Sequence, residues 1–162
     1  MATKDDFTDE EWTRLKRGPF VAGMAISLAD PGGPIELVKE TAAAVKAVRT
    51  AAESGDGGLV GEVATEVVAE TRDRKNPLHD FKPKGALAGQ EILEELQAVN
   101  RIVSEKATPE EADAYRAWLR NAAADAADAA KEGGFLGFHA QRVSEGEQRM
   151  LDKLGDVLAP PA

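Results

Sequence analysis

An alanine-rich run, AAADAADAA at residues 122–130, sets the architecture. Alanine is the strongest helix former, and a helix face built from it lets a neighbouring helix approach closely. Asp125 and Asp128, three residues apart, share one side of that helix, which must be its solvent side. The run therefore belongs to a central helix of a helical bundle.

Outward from this run the apolar residues recur at steps of three and four, and no run alternates with the period of two that a half-buried strand requires. Ile35, Val38, Ala42, Val45 and Val48 form one stripe, and Ile92, Leu96, Val99 and Val103 another. Met150, Leu154 and Val157, widened by Leu151 and Leu158, form a third before Pro160 and Pro161 end the pattern. Thr8-Asp-Glu-Glu11, Thr108-Pro-Glu-Glu111 and Ser144-Glu-Gly-Glu147 match the capping box, in which the hydroxyl accepts from a first-turn N–H and the glutamate reaches back to the cap. Pro34 and Pro109 suit first helical positions, where the missing N–H has no intrahelical partner anyway.

The pattern predicts an all-α bundle of about seven helices over 9–16, 19–29, 34–53, 58–74, 85–105, 109–132 and 145–158. The breaks fall at Gly18-Pro19, Asp30-Pro-Gly-Gly-Pro34, Ser54-Gly-Asp-Gly-Gly58 and the proline-bounded stretch from Asn76 to Pro83. The 162 residues, 43% of them hydrophobic, suffice for one helical domain over 1–162. Helix, glycine pair and helix occur twice, over 8–54 and 108–158, as half-repeats would.

Composition narrows the function. A formal net charge of −9 repels nucleic-acid phosphates, and the absence of cysteine removes thiol chemistry and thiolate metal sites. The polar start MATKDDFTDEEW does not read as a secretory signal, and Gly18–Ala29 is too short for a spanning helix. The expectation is a cytoplasmic protein without nucleic-acid partners or membrane insertion, in a composition rich in alanine and acid that suits a bacterium. No serine lies in a hydrolase motif and no phosphate loop is present, so no catalytic residues are assigned. Trp12 and Trp118 read as core.

Three groups are candidate sites. Asp30, Glu36 and Glu40 place carboxylates at a helix start, as a hard divalent cation requires, although acids there also complement the helix dipole. That cation is the only cofactor considered. Arg72, Arg74, Lys75, Lys82 and Lys84 form a basic island for an anion or ligand, diluted by Asp73 and Asp80. Phe135, Leu136 and Phe138 follow a glycine pair and either plug the end of the preceding helix or anchor a partner, with His139 on the same surface.

Two segments, Met24-Ala-Ile-Ser-Leu-Ala-Asp30 before the first glycine turn and Arg142-Val-Ser-Glu-Gly-Glu-Gln-Arg-Met-Leu-Asp152 after the second, resemble the TerB-like domains of tellurite-resistance proteins. The resemblance implies paired helical units, acidic turns able to carry a metal, and a stress-linked partner or scaffold role. The chain departs from the family's Ala-Asp-Gly turns: Asp30-Pro-Gly-Gly stands at the first and no aspartate at the second, which weakens the metal reading. The expected function is a non-catalytic interaction or scaffold module that uses a protein partner or self-association, acting through a groove between the halves or through residues 135–142. The alternative is a small-ligand or metal-ion binder at Asp30 or at the basic loop 72–84.

Overall fold

Local capping motifs set the helix starts as the sequence predicts. The side chains of Thr8 and Glu11 exchange bonds with each other's backbone N–H at 2.7 and 3.2 Å, those of Ser144 and Glu147 at 2.8 and 3.1 Å, and those of Thr108 and Glu111 at 3.2 and 3.3 Å. The computed structural model describes residues 1–29, 34–55, 57–131 and 144–162, excluding the side chains of 34–40, 130 and 131. Among these residues there are six α-helices and no strand: α1 (Asp9–Ala29), α2 (Pro34–Ser54), α3 (Gly58–Arg72), α4 (Ala88–Lys106), α5 (Pro109–Lys131) and α6 (Glu145–Val157). Short 3₁₀ turns at Lys4–Asp6 and Gly85–Leu87 precede α1 and α4.

The alanine run lies where its composition places it. Ala122, Ala123, Ala126 and Ala127 are buried, Asp125 and Asp128 are exposed, and α5 packs along both α1 and α2. The α4 stripe of Ile92, Leu96, Val99 and Val103 is wholly buried, and both tryptophans belong to the core. On α2 the stripe has a different phase: Ala43, Ala44 and Val48 are buried while Ala42 is exposed. Three neighbours, α5, α3 and α1, define the buried face of α2.

The prediction of seven helices is corrected to six, because α1 runs unbroken through Gly18-Pro19. Proline at 19 has no N–H to give the carbonyl of Leu15 four residues earlier, and a buried carbonyl without a donor is costly. The hydroxyl of Tyr115, from α5, donates to that carbonyl at 2.6 Å. Tyr115 is completely buried, and burial pushes its hydroxyl far above the ordinary tyrosine range, so it remains a proton donor. Gly18 provides the clearance. A Cβ there would lie 2.5 Å from the Tyr115 oxygen and 3.2 Å from Cδ2 of Leu119.

The Tyr115 ring cannot easily give way, being bonded at its tip and set edge-on to Trp118 with centroids 5.6 Å apart. Gly18→Ala should therefore destabilise the protein. The gain in helix propensity is at most about 1 kcal/mol, while overpacking a filled core costs about 1–3 kcal/mol. Thermal unfolding followed by circular dichroism checks this: the melting temperature is expected to fall, whereas a rise would mean that the contact is not tight.

Candidate functional site

Most charged groups near the core are already committed to one another. On α1, Arg14 and Arg17 reach the buried Glu95 of α4, with Arg14 Nη1 2.9 Å from Oε2 and Arg17 Nε 2.8 Å from Oε1. Lys16 points the other way, its ammonium 2.7 Å from Glu70 and 3.2 Å from Glu66 on α3. Glu66 also accepts from the Trp12 indole at 2.9 Å and from Lys4 at 3.0 Å. Burial would raise the Glu66 pKa, but the bonds from Trp12, Lys4 and Lys16 outweigh it and hold the carboxyl below the ordinary range. Arg116 of α5 is likewise buried against Asn100, Ser104 and Asp113. These groups join helices and leave no pair poised for proton transfer.

The segment after α3 lies over this network. Asn76 caps its own turn through a 3.0 Å bond from the Leu78 N–H, Leu78 packs on the core, and the Arg17 guanidinium sits 5.0 Å from the Phe81 ring centroid. His79 adopts a left-handed backbone with φ 52°, and its buried Nε2 has no hydrogen-bond partner, lying 3.6 Å from Glu70 Oε2. Burial and the nearby Lys16 charge push its pKa below the ordinary value, so the imidazole is neutral at pH 7.

The basic island of the sequence is divided by the fold. Arg72 ends α3, Arg74 follows with φ 60°, and Lys75 stands 3.8 Å from Glu70. Lys82 lines a cleft with Arg14, Asp80, Glu91, Glu94 and Glu95, where carboxylates predominate, and the Lys84 N–H faces Glu91 at 3.4 Å. Asp30 lies outside the described residues, as do the side chains of Glu36 and Glu40 on α2. Among the described residues no three acids or histidines are grouped to hold a metal. Phe135, Leu136, Phe138 and His139 also lie outside them.

One cleft has the composition of a binding site. It lies between α2 and α3, with a volume of about 570 Å³, inside the roughly 300–1,000 Å³ range of small-molecule sites. Phe20, Val48 and Val67, all buried, form the floor. Val45 and Ala52 of α2 and Val68 and Ala69 of α3 form walls too small to fill the space between the helices. Arg49, Glu53 and Arg72 stand at the rim, all exposed. A shallower hollow beside Gly57, Gly58 and Gly61 shares Ala52, Thr65 and Ala69 with it, so the trough continues along α3 towards Met1.

Of these residues only Arg72 stood among the sequence candidates. Arg49, Val45 and Val68 carry no motif; the available signal was a small-residue face on each of two consecutive helices. Compared with known proteins, the chain matches no family model, no curated protein sequence and no solved structure.

The Glu66 network makes a pH prediction. A carboxyl whose folded pKa lies below its unfolded value of 4.5 contributes stability above that value, and loses it as pH falls through the folded pKa. Glu66→Gln is expected to lower the melting temperature at neutral pH and to shrink the further drop between about pH 5 and pH 3. An acid limb as steep as that of the unmodified protein would show that Glu66 is not one of the groups responsible.

Proposed function

We propose that this protein is a non-catalytic binding module whose working surface is the α2/α3 trough. The observation that carries the reading is an apolar floor that the described residues leave uncovered between two helices, while the buried charges of α1 are paired. An open apolar concavity with a few polar groups at its rim is the usual form of a ligand or partner site. Among the described residues, no nucleophile and base in contact adjoin this trough.

The reading agrees with the interaction or scaffold role expected from composition, and with the partner role implied by the TerB-like resemblance. That resemblance, and the half-repeats over 8–54 and 108–158, remain proposals supported by sequence alone. Among the described residues no helix is long and apolar enough to cross a membrane. The net charge of −9 disfavours nucleic acid as the occupant.

A neutral apolar fluorophore, N-phenyl-1-naphthylamine, tests the trough directly. The full chain is expected to bind it saturably at one site, and Ala69→Trp to weaken binding by at least about tenfold without lowering the melting temperature. Ala69 is exposed, so the larger ring enters the trough rather than the core. Absence of saturable binding, or binding indifferent to Ala69→Trp, would overturn the proposal.

A further inference from the structure

We infer that residues 76–84 form an acid-released strap, in which a proton on His79 lifts Leu78 from the core and Phe81 from Arg17. None of these residues lines the α2/α3 trough, so the device is separate from the binding surface proposed above. Three observations lead to it. First, the strap is held by packing rather than by a ladder of bonds. Among the described residues, the hydrogen bonds of 76–81 are internal: the Leu78 N–H donates to the Asn76 side chain, the His79 N–H to the Asn76 carbonyl and the Phe81 N–H to the Leu78 carbonyl, at 3.0, 3.0 and 3.1 Å. The strap's hold on the body is the half-buried Leu78, the half-buried Phe81 under the Arg17 guanidinium, and one long bond, 3.4 Å, from the Lys84 N–H to Glu91. A segment with so few bonds to its neighbours opens without unfolding the rest.

Second, His79 sits where a positive charge meets other positive charges. Its Nε2 is buried without a hydrogen-bond partner. Among the described residues, the charged groups around it are Lys16 and Arg17 from α1, Glu70 from α3, and Lys75 and Asp80 from the adjoining chain. Glu70 Oε2 lies 3.6 Å from Nε2, but Oε1 of the same carboxylate holds the Lys16 ammonium at 2.7 Å and faces Lys75 at 3.8 Å. Lys16 also reaches Glu66, and Arg17 is bonded to Glu95 of α4. Asp80 is exposed, so its pull on the imidazole is screened by solvent. A proton on His79 would therefore set a further cation beside Lys16 and Arg17, against a carboxylate that Lys16 already neutralises.

Third, His79 keeps a left-handed backbone, φ 52°, which a residue with a side chain holds only where its surroundings enforce it. The docked geometry thus depends on the contacts of Leu78 and Phe81 on either side, and is given up when they part. The sign of the pH dependence follows from the same surroundings. Burial and the Lys16 charge hold the docked imidazole below the 6.5 of a free one. Docking is therefore fully favoured above that pH and weakens as pH falls below it, because the lifted strap takes up the proton that the docked strap refuses.

Nuclear magnetic resonance of the full chain, titrated downwards from about pH 7.5, tests the strap. The chain has two histidines, so His79→Asn assigns the His79 imidazole; asparagine does not titrate and tolerates a left-handed backbone. The imidazole is expected to titrate below pH 6.5. With the same midpoint, the Leu78 methyl and Phe81 ring resonances should move to solvent-exposed positions, and the exchange protection of the Phe81 N–H, corrected for its intrinsic rate, should fall about tenfold or more. In His79→Asn the packed resonances should persist over the same range, and in both proteins the Tyr115 and Trp118 resonances should stay in place. Titration of His79 at or above pH 6.5 would overturn the inference, as would unchanged packing of Leu78 and Phe81 once His79 is protonated, or the same release in His79→Asn. Loss of the Tyr115 and Trp118 resonances together with those of the strap would also overturn it, because the change would then be global unfolding.

Discussion

The structure depends on one hydrogen bond, from the Tyr115 hydroxyl to the Leu15 carbonyl. Proline at 19 would ordinarily end or weaken a helix, because it withdraws the donor that Leu15 needs. With Tyr115 supplying a donor from α5, and Gly18 giving the ring room, α1 passes through the interior as one element. That continuity places Arg14, Lys16 and Arg17 opposite their glutamates on α4 and α3, and Phe20 beneath the α2/α3 trough. The same few residues thus tie the bundle together and set the floor of its candidate site.

The charges divide into two populations with different roles. Those of α1 are buried or half-buried and bonded at 2.6–3.2 Å, where removing one partner strands the other at a cost of about 3–5 kcal/mol. They are positional, holding α3 and α4 against α1. Arg49 and Arg72, by contrast, are exposed, and Arg49 meets Glu53 only at 3.6 Å in solvent. Because α2 and α3 meet through valine, alanine and threonine, an apolar gap persists between the two helices.

Much of the fold was legible because its signals are local. Each capping box lies within four residues, the α4 stripe is set by its own period, and the alanine face of α5 declares a close neighbour without naming it. What was not legible depended on residues far apart in sequence. Pro19 read as a break because the compensating donor, Tyr115, lies 100 residues from the Leu15 carbonyl it serves. The buried face of α2 was misphased at Ala42 because three neighbours, rather than one, define it. The trough was unreadable for a related reason: it consists of missing volume between helices, and a sequence records side chains but not the space they fail to fill. Arg72 was noticed as part of a charge run, but its place on the rim of a groove arises only when α3 folds back on α2.

Tyr115 replaces the donor that Pro19 lacks, and a double-mutant cycle on stability measures that replacement. Tyr115→Phe, made in the native protein and in Pro19→Ala, should cost about 1–3 kcal/mol in the first and at least about 1 kcal/mol less in the second, where the alanine N–H can serve the Leu15 carbonyl. The same cost in both backgrounds would contradict the claim and leave the continuity of α1 to be explained by packing alone.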